Sequence, residues 1–172
     1  MKKLVIIFMI IFNCYGFNLF DIKTYKADFK QIVINSQNKK VLYSGTIYIK
    51  DPFYILWEYK TPVEKNIYIK KNRVTIIEPE LEQAIVTNLQ NEINLIKLLQ
   101  QSKKVSENQY KSIFNDRVYF IKIDNNKISQ IKYKDQLDNT IQIKFFNIKQ
   151  NQLIKNQIFD FVIPFDYDII KR

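Results

Sequence analysis

Side chains able to carry out acid–base, nucleophilic or metal chemistry are scarce in this chain. It contains no histidine and a single cysteine, Cys14, among 172 residues. Without histidine, the Ser-His and Cys-His pairs of hydrolases cannot form, and an ordinary zinc site lacks a main ligand type. With two glycines in all, phosphate-binding loops and dinucleotide fingerprints have no basis either. The composition therefore argues against an enzyme, and we expect neither a cofactor nor a metal.

One group of carboxylates remains as a candidate for chemistry. Glu78, Glu80 and Glu82 lie close together around Pro79, and a carboxylate pair is the machinery of most glycoside hydrolases. A Glu-Pro-Glu run is also what a solvated turn contains, and we favour that interpretation.

The strongest pattern in the sequence is apolar. Residues 44–59 form two alternating runs separated by Asp51-Pro52. Because successive side chains of a strand point to opposite faces, one face of each run, and of the next run at 65–70, is apolar or aromatic. These faces carry Ile47 and Ile49, then Phe53, Ile55, Trp57 and Tyr59, then Ile67 and Ile69. Such a surface packs either in an ordinary protein core or against a bound lipid.

Similar alternation predicts strands through most of the chain. They are expected at Asp28–Ile34, Lys65–Lys70, Arg73–Ile77, Gln83–Asn88, Gln109–Phe114, Val118–Asp124, Lys127–Lys134, Thr140–Lys149 and Gln157–Ile163. Asn and Asp pairs between them replace the usual Gly, because these residues tolerate a left-handed backbone. The pattern predicts about ten antiparallel strands in one domain.

Two segments favour helices. The period over Asn91–Ser102 places five apolar side chains on one face, namely Ile93, Leu95, Ile96, Leu98 and Leu99. A shorter helix is predicted over Asp21–Ala27, where Ile22, Tyr25 and Lys26 have helical spacing.

The first 16 residues are typical of a signal peptide. Lys2 and Lys3 precede an apolar run, Leu4–Phe12, which is too short to span a bilayer. We expect cleavage after Gly16, which removes Cys14 and leaves one domain at residues 17–172 in the periplasm. Lipidation at Cys14 is disfavoured because Asn13 is large and polar.

The formal net charge is +10. An anionic partner, such as a membrane surface, is one interpretation. The lysines are dispersed along strands, so we favour solvated strand faces instead, and we expect no nucleic-acid partner.

Taken in order, these pieces resemble the periplasmic lipoprotein carrier family, the LolA-like proteins. The matching motifs are Ala27–Gln31, Ser44-Gly45-Thr46, Lys50-Asp51-Pro52, Trp57-Glu58-Tyr59 with Pro62, Glu78–Gln83, Phe159–Pro164 and Asp168–Ile170. The resemblance covers nearly all of residues 17–172.

The resemblance implies a mainly β fold: an incomplete, strongly curved antiparallel barrel with a helical lid. In this family the concave face holds the acyl chains of lipoproteins, so the apolar residues of the three runs become candidate ligand contacts and the 91–102 helix the lid. The implied partners are acylated lipoproteins, an inner-membrane lipoprotein-releasing ABC transporter and, if one exists, an outer-membrane receptor. We expect a monomer that does no catalysis.

One position departs from the family. The family commonly has an Arg before the Pro of the strand-separating turn, where it bonds to the lid backbone; here Asp51 occupies this latch position. Either Lys50 or Lys97 pairs with Asp51 to rebuild the latch, or the latch is absent. An envelope-sensing or lipoprotein-receptor-type interaction domain on the same fold remains the alternative function.

Overall fold

The computed structural model describes residues 22–52, 54–88, 98–99 and 101–171. These residues form twelve strands, two short 3-10 helices at Pro79–Leu81 and Asn156–Phe159, and a helical fragment at Leu98–Leu99. The strands are β1 Thr24–Ile34, β2 Lys40–Lys50, β3 Tyr54–Thr61, β4 Lys65–Lys70, β5 Arg73–Glu78, β6 Gln83–Asn88, β7 Lys103–Ser106, β8 Gln109–Phe114, β9 Arg117–Asp124, β10 Lys127–Lys134, β11 Thr140–Gln150 and β12 Asp168–Lys171.

All twelve strands belong to one sheet that does not close. Their order is β12-β6-β5-β4-β3-β2-β1-β11-β10-β9-β8-β7. Neighbours are antiparallel except β12, which pairs parallel to β6. The sequence predicted about ten strands, all antiparallel; the two short strands β7 and β12 account for the difference.

The sheet curls strongly about its apolar face. Ile67 on β4 and Tyr133 on β10 are five strand spacings apart, which is about 24 Å in a flat sheet. Both side chains nevertheless line one small cavity. The incomplete, curved barrel that the resemblance implied is therefore confirmed.

The core lies on both faces of the sheet, with very unequal shares. The larger cluster fills the concave side and contains buried side chains from eight strands, among them Tyr25, Phe29, Ile47, Val74 and Ile121. A smaller cluster on the outer side joins Leu56 of β3 to Ile154 and Phe159. The segment after β11 thus crosses the outside of the sheet and covers β3.

Hairpin turns are built from Asn and Asp, as the sequence predicted. Of the ten described residues with positive φ, all non-glycine, eight are Asn or Asp. Asn125 and Asn126 both have positive φ between β9 and β10, which matches the twist of a two-residue hairpin.

The predicted helix over Asp21–Ala27 is wrong for its described residues. Thr24 already belongs to β1, and Tyr25, Ala27 and Phe29 are buried on one side of that strand. The helical spacing of Ile22 and Tyr25 is overridden because β1 completes the ladder between β2 and β11.

The predicted strand at Gln157–Ile163 is also wrong. Its first half is a 3-10 helix, and no ladder partner pairs with the remainder among the described residues. Phe159 and Phe161 instead pack on Tyr54 and Tyr68, with ring centroids 5.5 and 4.5 Å apart. Aromatic packing on the outer face has taken the place of strand pairing.

Several expectations fall outside the described residues. They are the signal peptide with its cleavage after Gly16, Phe53, and the lid residues Ile93, Leu95 and Ile96. Within the described ranges, no helix has both the length and the apolar character needed to cross a membrane.

Candidate functional site

The apolar face of β3 forms the centre of the concave wall. Ile55 and Trp57 lie opposite Ile49 and Ile47 of β2 on one side, and opposite Ile69 and Ile67 of β4 on the other. Paired residues of antiparallel strands share a face. The structure therefore brings together seven of the eight predicted contact residues: Ile47, Ile49, Ile55, Trp57, Tyr59, Ile67 and Ile69.

These seven side chains are not equally accessible. Ile47, Ile49, Ile55 and Ile69 are buried in the cluster, whereas Trp57, Tyr59 and Ile67 are half-buried. The accessible ones lie toward the end of β3 that is far from Asp51. At this end of β3, a ligand can contact the wall without first displacing buried core residues.

Trp57 packs in an aromatic cluster with Phe29, Tyr59 and Phe145. The sequence analysis did not assign Phe29 or Phe145 to the site. The Phe29 ring meets Trp57 and Tyr59 edge-on, each with centroids 5.1 Å apart. Phe145 of β11, which pairs with Phe29 in the strand register, has its ring centroid 6.4 Å from that of Trp57. Such edge-to-face pairs add stability beyond area burial, so the indole sits in a fixed orientation.

Gly45 makes this close aromatic packing possible. The register of β2 and β3 shifts between Ser44 and Gly45. A Cβ at this position would overlap the carbonyl oxygen of Glu58 and come within 2.9 Å of the Phe29 ring. Only glycine therefore lets β3 and the Phe29 ring approach β2 so closely.

A small cavity lies beside the cluster. It has a volume of about 90 Å³ and is lined by Gln31, Trp57, Tyr59, Ile67, Ile69, Tyr133 and Ile143. Known ligand pockets measure about 300–1,000 Å³, so this cavity is too small for an acyl chain. Among its lining residues, Tyr59 Oη donates to Gln31 Oε1 at 3.0 Å.

The described part of the predicted lid covers the concave face. Leu98 and Leu99 are helical and buried, 0% and 3% exposed, within the same cluster as Trp57. After this helical fragment, the amide and the hydroxyl of Ser102 both donate to the carbonyl oxygen of Leu99, at 2.9 and 2.7 Å.

Asp51 has no described partner for its carboxylate. It lies exposed in the β2–β3 turn, and its amide donates to the carbonyl of Lys23 at 2.8 Å. Lys50 Nζ donates instead to Ile154 O at 3.2 Å and Asn156 Oδ1 at 2.6 Å. The prediction that Lys50 pairs with Asp51 is therefore wrong, because the Lys50 ammonium donates to the segment after β11 instead. Lys97 lies outside the described residues.

A buried tyrosine ties the concave floor together. Tyr25 Oη donates to the carbonyl of Ile128 at 3.0 Å, joining β1 to β10 across β11. Burial holds the pKa of Tyr25 far above its usual range, so the phenol stays a donor. The bond supports the curl without depending on the cavity.

The polar side of the same strands is electrostatically distinct. Asp28 accepts from Asn147 Nδ2 at 2.8 Å and from Thr46 Oγ1 at 3.0 Å, and these bonds, Asn147 first, lower its pKa. Burial raises the pKa of the neighbouring Glu58. Neither carboxylate faces the concave side, where the residues that line the cavity carry no charge.

Larger cavities of the described residues are not lined by the rings of the aromatic cluster, although one of about 520 Å³ shares Tyr133 with the small cavity. One of about 560 Å³ combines the aromatic side chains of Tyr68, Phe159 and Phe161 with charged and polar ones such as Lys70, Arg73 and Asp160, with Lys70 and Asp160 paired at 2.9 Å. Its charged side chains distinguish it from the smaller cavity, whose lining residues carry no charge. Size alone therefore does not identify the site.

The three clustered carboxylates sit at the β5–β6 turn. Glu78 ends β5 opposite Gln83, and Glu80 and Glu82 are exposed around the 3-10 helix. None lines the aromatic cavity. In the part of the chain that the structure describes, no three His, Cys, Asp or Glu side chains are grouped to hold a metal ion.

Comparison with known proteins points to one family. The family model described as "Outer membrane lipoprotein carrier protein LolA" matches residues 21–120, which include β1 to β4 with Phe29, Trp57 and Tyr59. The outer-membrane lipoprotein carrier protein of Campylobacter jejuni is 36% identical over 173 residues, covering 99% of this chain and 100% of the relative. That of Wolinella succinogenes is 35% identical over 152 residues, covering 88% of each chain.

A solved structure supports the fold alone. The crystal structure of an uncharacterized conserved protein from Thermus thermophilus aligns with a TM-score of 0.54 at 11% identity, covering 89% of this chain and 93% of that one. The curved open sheet thus recurs where the sequence is no longer similar.

Proposed function

The chain belongs to the LolA family of outer membrane lipoprotein carrier proteins, and we propose that it carries lipoproteins across the periplasm. It binds their acyl chains on the concave face and releases them at the outer membrane. It receives them from an inner-membrane ABC transporter and passes them to an outer-membrane receptor where one exists. The work is binding and release, with no bond made or broken.

The observation that carries this proposal is an apolar wall of seven predicted residues on a curved, open sheet. A flat sheet encloses no interior, whereas a strongly curved sheet does. An open sheet whose concave face is covered by a separate helical segment, represented by Leu98 and Leu99, has an apolar interior that becomes accessible when the cover moves.

Loading requires such a movement. The present cavity of about 90 Å³ has room for about three water molecules. Each methylene of an acyl chain that is buried contributes roughly 0.8 kcal/mol of binding free energy. Two or three chains therefore bring tens of methylenes that must find space. Displacing Leu98 and Leu99 from the cluster supplies that space, and the acyl chains replace the contacts that the leucines lose.

A release assay tests the carrier function directly. Purified protein is added to spheroplasts, and transfer of an acylated lipoprotein into the soluble fraction is measured. Release by the parent and loss of release by Ile67→Lys support the proposal, because a charge on the half-buried wall repels acyl chains. Ile169→Lys on β12, where Ile169 is 53% exposed, is the matched control and is expected to behave as the parent.

A binding assay separates a carrier from an interaction domain. Trp57 is the only tryptophan, so its emission reports on the wall. Saturable emission shifts on addition of an acylated peptide support the carrier. A folded protein that shows no shift and releases no lipoprotein, but binds an envelope protein, would favour the interaction domain instead.

A further inference from the structure

Two rows of side chains on the outer face of the sheet contain six lysines and no carboxylate. Strand register defines them across β7 to β11 and β1. One row is Lys103, Lys111, Phe120, Lys132, Gln142 and Ile32; the other is Gln109, Lys122, Gln130, Lys144 and Lys30. All six lysines are exposed. We call these two rows the basic band.

The arrangement of the basic band works against sheet stability. Lys103 lies directly opposite Lys111, and Lys30 directly opposite Lys144. Like charges at such positions destabilise an antiparallel pair. No ion pair between described residues includes any of the six lysines. Ordinary solvated strand faces mix both signs, so composition alone does not account for this band.

Exposed apolar side chains lie within and beside the lysines. Phe120 stands between Lys111 and Lys132 in register and is 49% exposed. Next to it, Ile113 and Val118 lie opposite each other and are 62% and 36% exposed. Cations surrounding a few apolar groups are the composition of surfaces that rest on lipid headgroups.

We propose that the basic band docks this protein on an anionic phospholipid surface. The cations are all Lys, which acts as a hydrated point charge, whereas Arg is the residue suited to forked pairing with individual carboxylates of a protein partner. The lysines spread over six strands of the convex outer face instead of gathering in one groove, and the groove beside Phe120 and Lys132 is lined by Asp116, Asp135 and Asp138 as well. A diffuse array of negative headgroups complements that pattern, and Phe120 with its apolar neighbours contacts the headgroup boundary.

Docking through this face leaves the cargo site free. The basic band occupies the outer face of strands whose inner face carries Ile121, Ile131 and Ile143 of the concave cluster. Leu98 and Leu99 pack on that inner side as well. The band would hold an empty or loaded protein near a leaflet without competing for the acyl site, so its test needs no cargo.

Vesicle sedimentation tests the proposal on the cargo-free mature chain. The probes are phosphatidylcholine vesicles with and without phosphatidylglycerol. The parent is expected to partition onto the anionic vesicles alone, and less so as salt rises. Replacing Lys111, Lys132 and Lys144 by Gln should weaken this partitioning roughly a hundred-fold, at about fivefold for each surface lysine.

A second triple variant isolates position from net charge. Lys39, Lys155 and Lys171 are exposed and outside the band, so replacing them by Gln removes the same charge. This control should lose no more than about a third of the effect on a logarithmic scale, since distant charges are screened. Phe120→Ser should weaken the binding that remains at high salt. Circular dichroism melts establish that each variant is folded.

Three results would overturn the proposal. They are equal losses in both triple variants, equal binding to neutral and anionic vesicles, and no vesicle binding by the parent. If the parent does not bind vesicles but is retained by immobilised polyglutamate through the same three lysines, the band binds an acidic protein instead.

Discussion

Replacing Leu98 with alanine separates a lid from an ordinary core helix. Leu98 is fully buried against the concave cluster. Truncation of a buried leucine costs about 2–5 kcal/mol, and we take about 3 kcal/mol for this site. If the helix moves independently, the whole of that cost lowers the free energy of opening the helix. A drop of this size multiplies the open population roughly a hundred-fold.

Hydrogen exchange shows whether the free energy lost in Leu98→Ala destabilises the helix alone or the whole protein. The Ser102 amide is protected by its bond to Leu99 O, and amides of the central strands β1 and β11 report on global unfolding. In Leu98→Ala, exchange at Ser102 should accelerate roughly a hundred-fold relative to those strand amides. Uptake of an acylated peptide, followed by Trp57 emission, should accelerate in parallel.

Leu56→Ala is the matched control. Leu56 is 2% exposed but belongs to the smaller cluster on the outer face, so the same truncation there should lower global stability without favouring exchange at Ser102. Equal acceleration of the strand amides and of Ser102 in Leu98→Ala would contradict a helix that opens independently. The helix would then open only when the whole protein unfolds, and acyl chains could not enter beneath it.

Three further predictions follow from single residues. Gly45→Ala should destabilise the protein by about 3 kcal/mol, since a Cβ meets the Glu58 carbonyl and Phe29, whereas Ser44→Ala should cost about 1 kcal/mol in urea unfolding; equal costs would contradict the close-approach argument. Glu58→Gln should raise the melting temperature near pH 7, because burial raises the Glu58 pKa and so disfavours the charged form. This gain should shrink as the pH falls through the folded pKa and vanish below the unfolded pKa, where Glu58 is neutral in both states; a pH-independent difference would count against it. Asp51→Arg should leave stability within about 0.5 kcal/mol but slow onward transfer of bound lipoprotein if a donor there latches the lid; transfer rates for Asp51→Arg, Asp51→Asn and Lys97→Gln that all equal the parent's would remove position 51 from the mechanism.

Strands were predictable because one-sided burial leaves a period of two in the sequence. β4, β6, β8 and β10 have their predicted limits at Lys65–Lys70, Gln83–Asn88, Gln109–Phe114 and Lys127–Lys134. The alternation through Trp57 also predicted which residues share the concave face, because residues paired across antiparallel strands lie on the same face of the sheet. Alternation failed where it was absent: all four residues of β7 are exposed, so nothing in them marks a strand.

Local spacing was ambiguous in the first strand. Ile22, Tyr25 and Lys26 fit a helix, while Tyr25, Ala27 and Phe29 fit a strand. The pairing of β1 with both β2 and β11 decides between them, and those partners are distant in sequence. Tertiary contacts of this kind commonly override a short propensity signal.

The cavity lining could not be read from the sequence in full. Gln31, Tyr133 and Ile143 line it but belong to β1, β10 and β11, while the predicted residues belong to β2, β3 and β4. They meet only because the sheet curls, and curl is a property of the whole sheet. Phe29 was visible as an alternating apolar residue, yet its contact with Trp57 depends on the absence of a side chain at Gly45.

The division of the core between two faces bears on how a carrier remains folded while its interior opens. Acyl chains that displace Leu98 and Leu99 would remove apolar contacts from the concave cluster, which is the main source of stability. β3 is also held from outside by Leu56, Ile154 and Phe159, with Lys50 and Lys70 tying the same covering segment through Asn156 and Asp160. Tyr25 adds a bond from β1 to β10 below the cavity. Since none of these contacts includes the helix, the wall that carries Trp57 can keep its shape while the cover leaves.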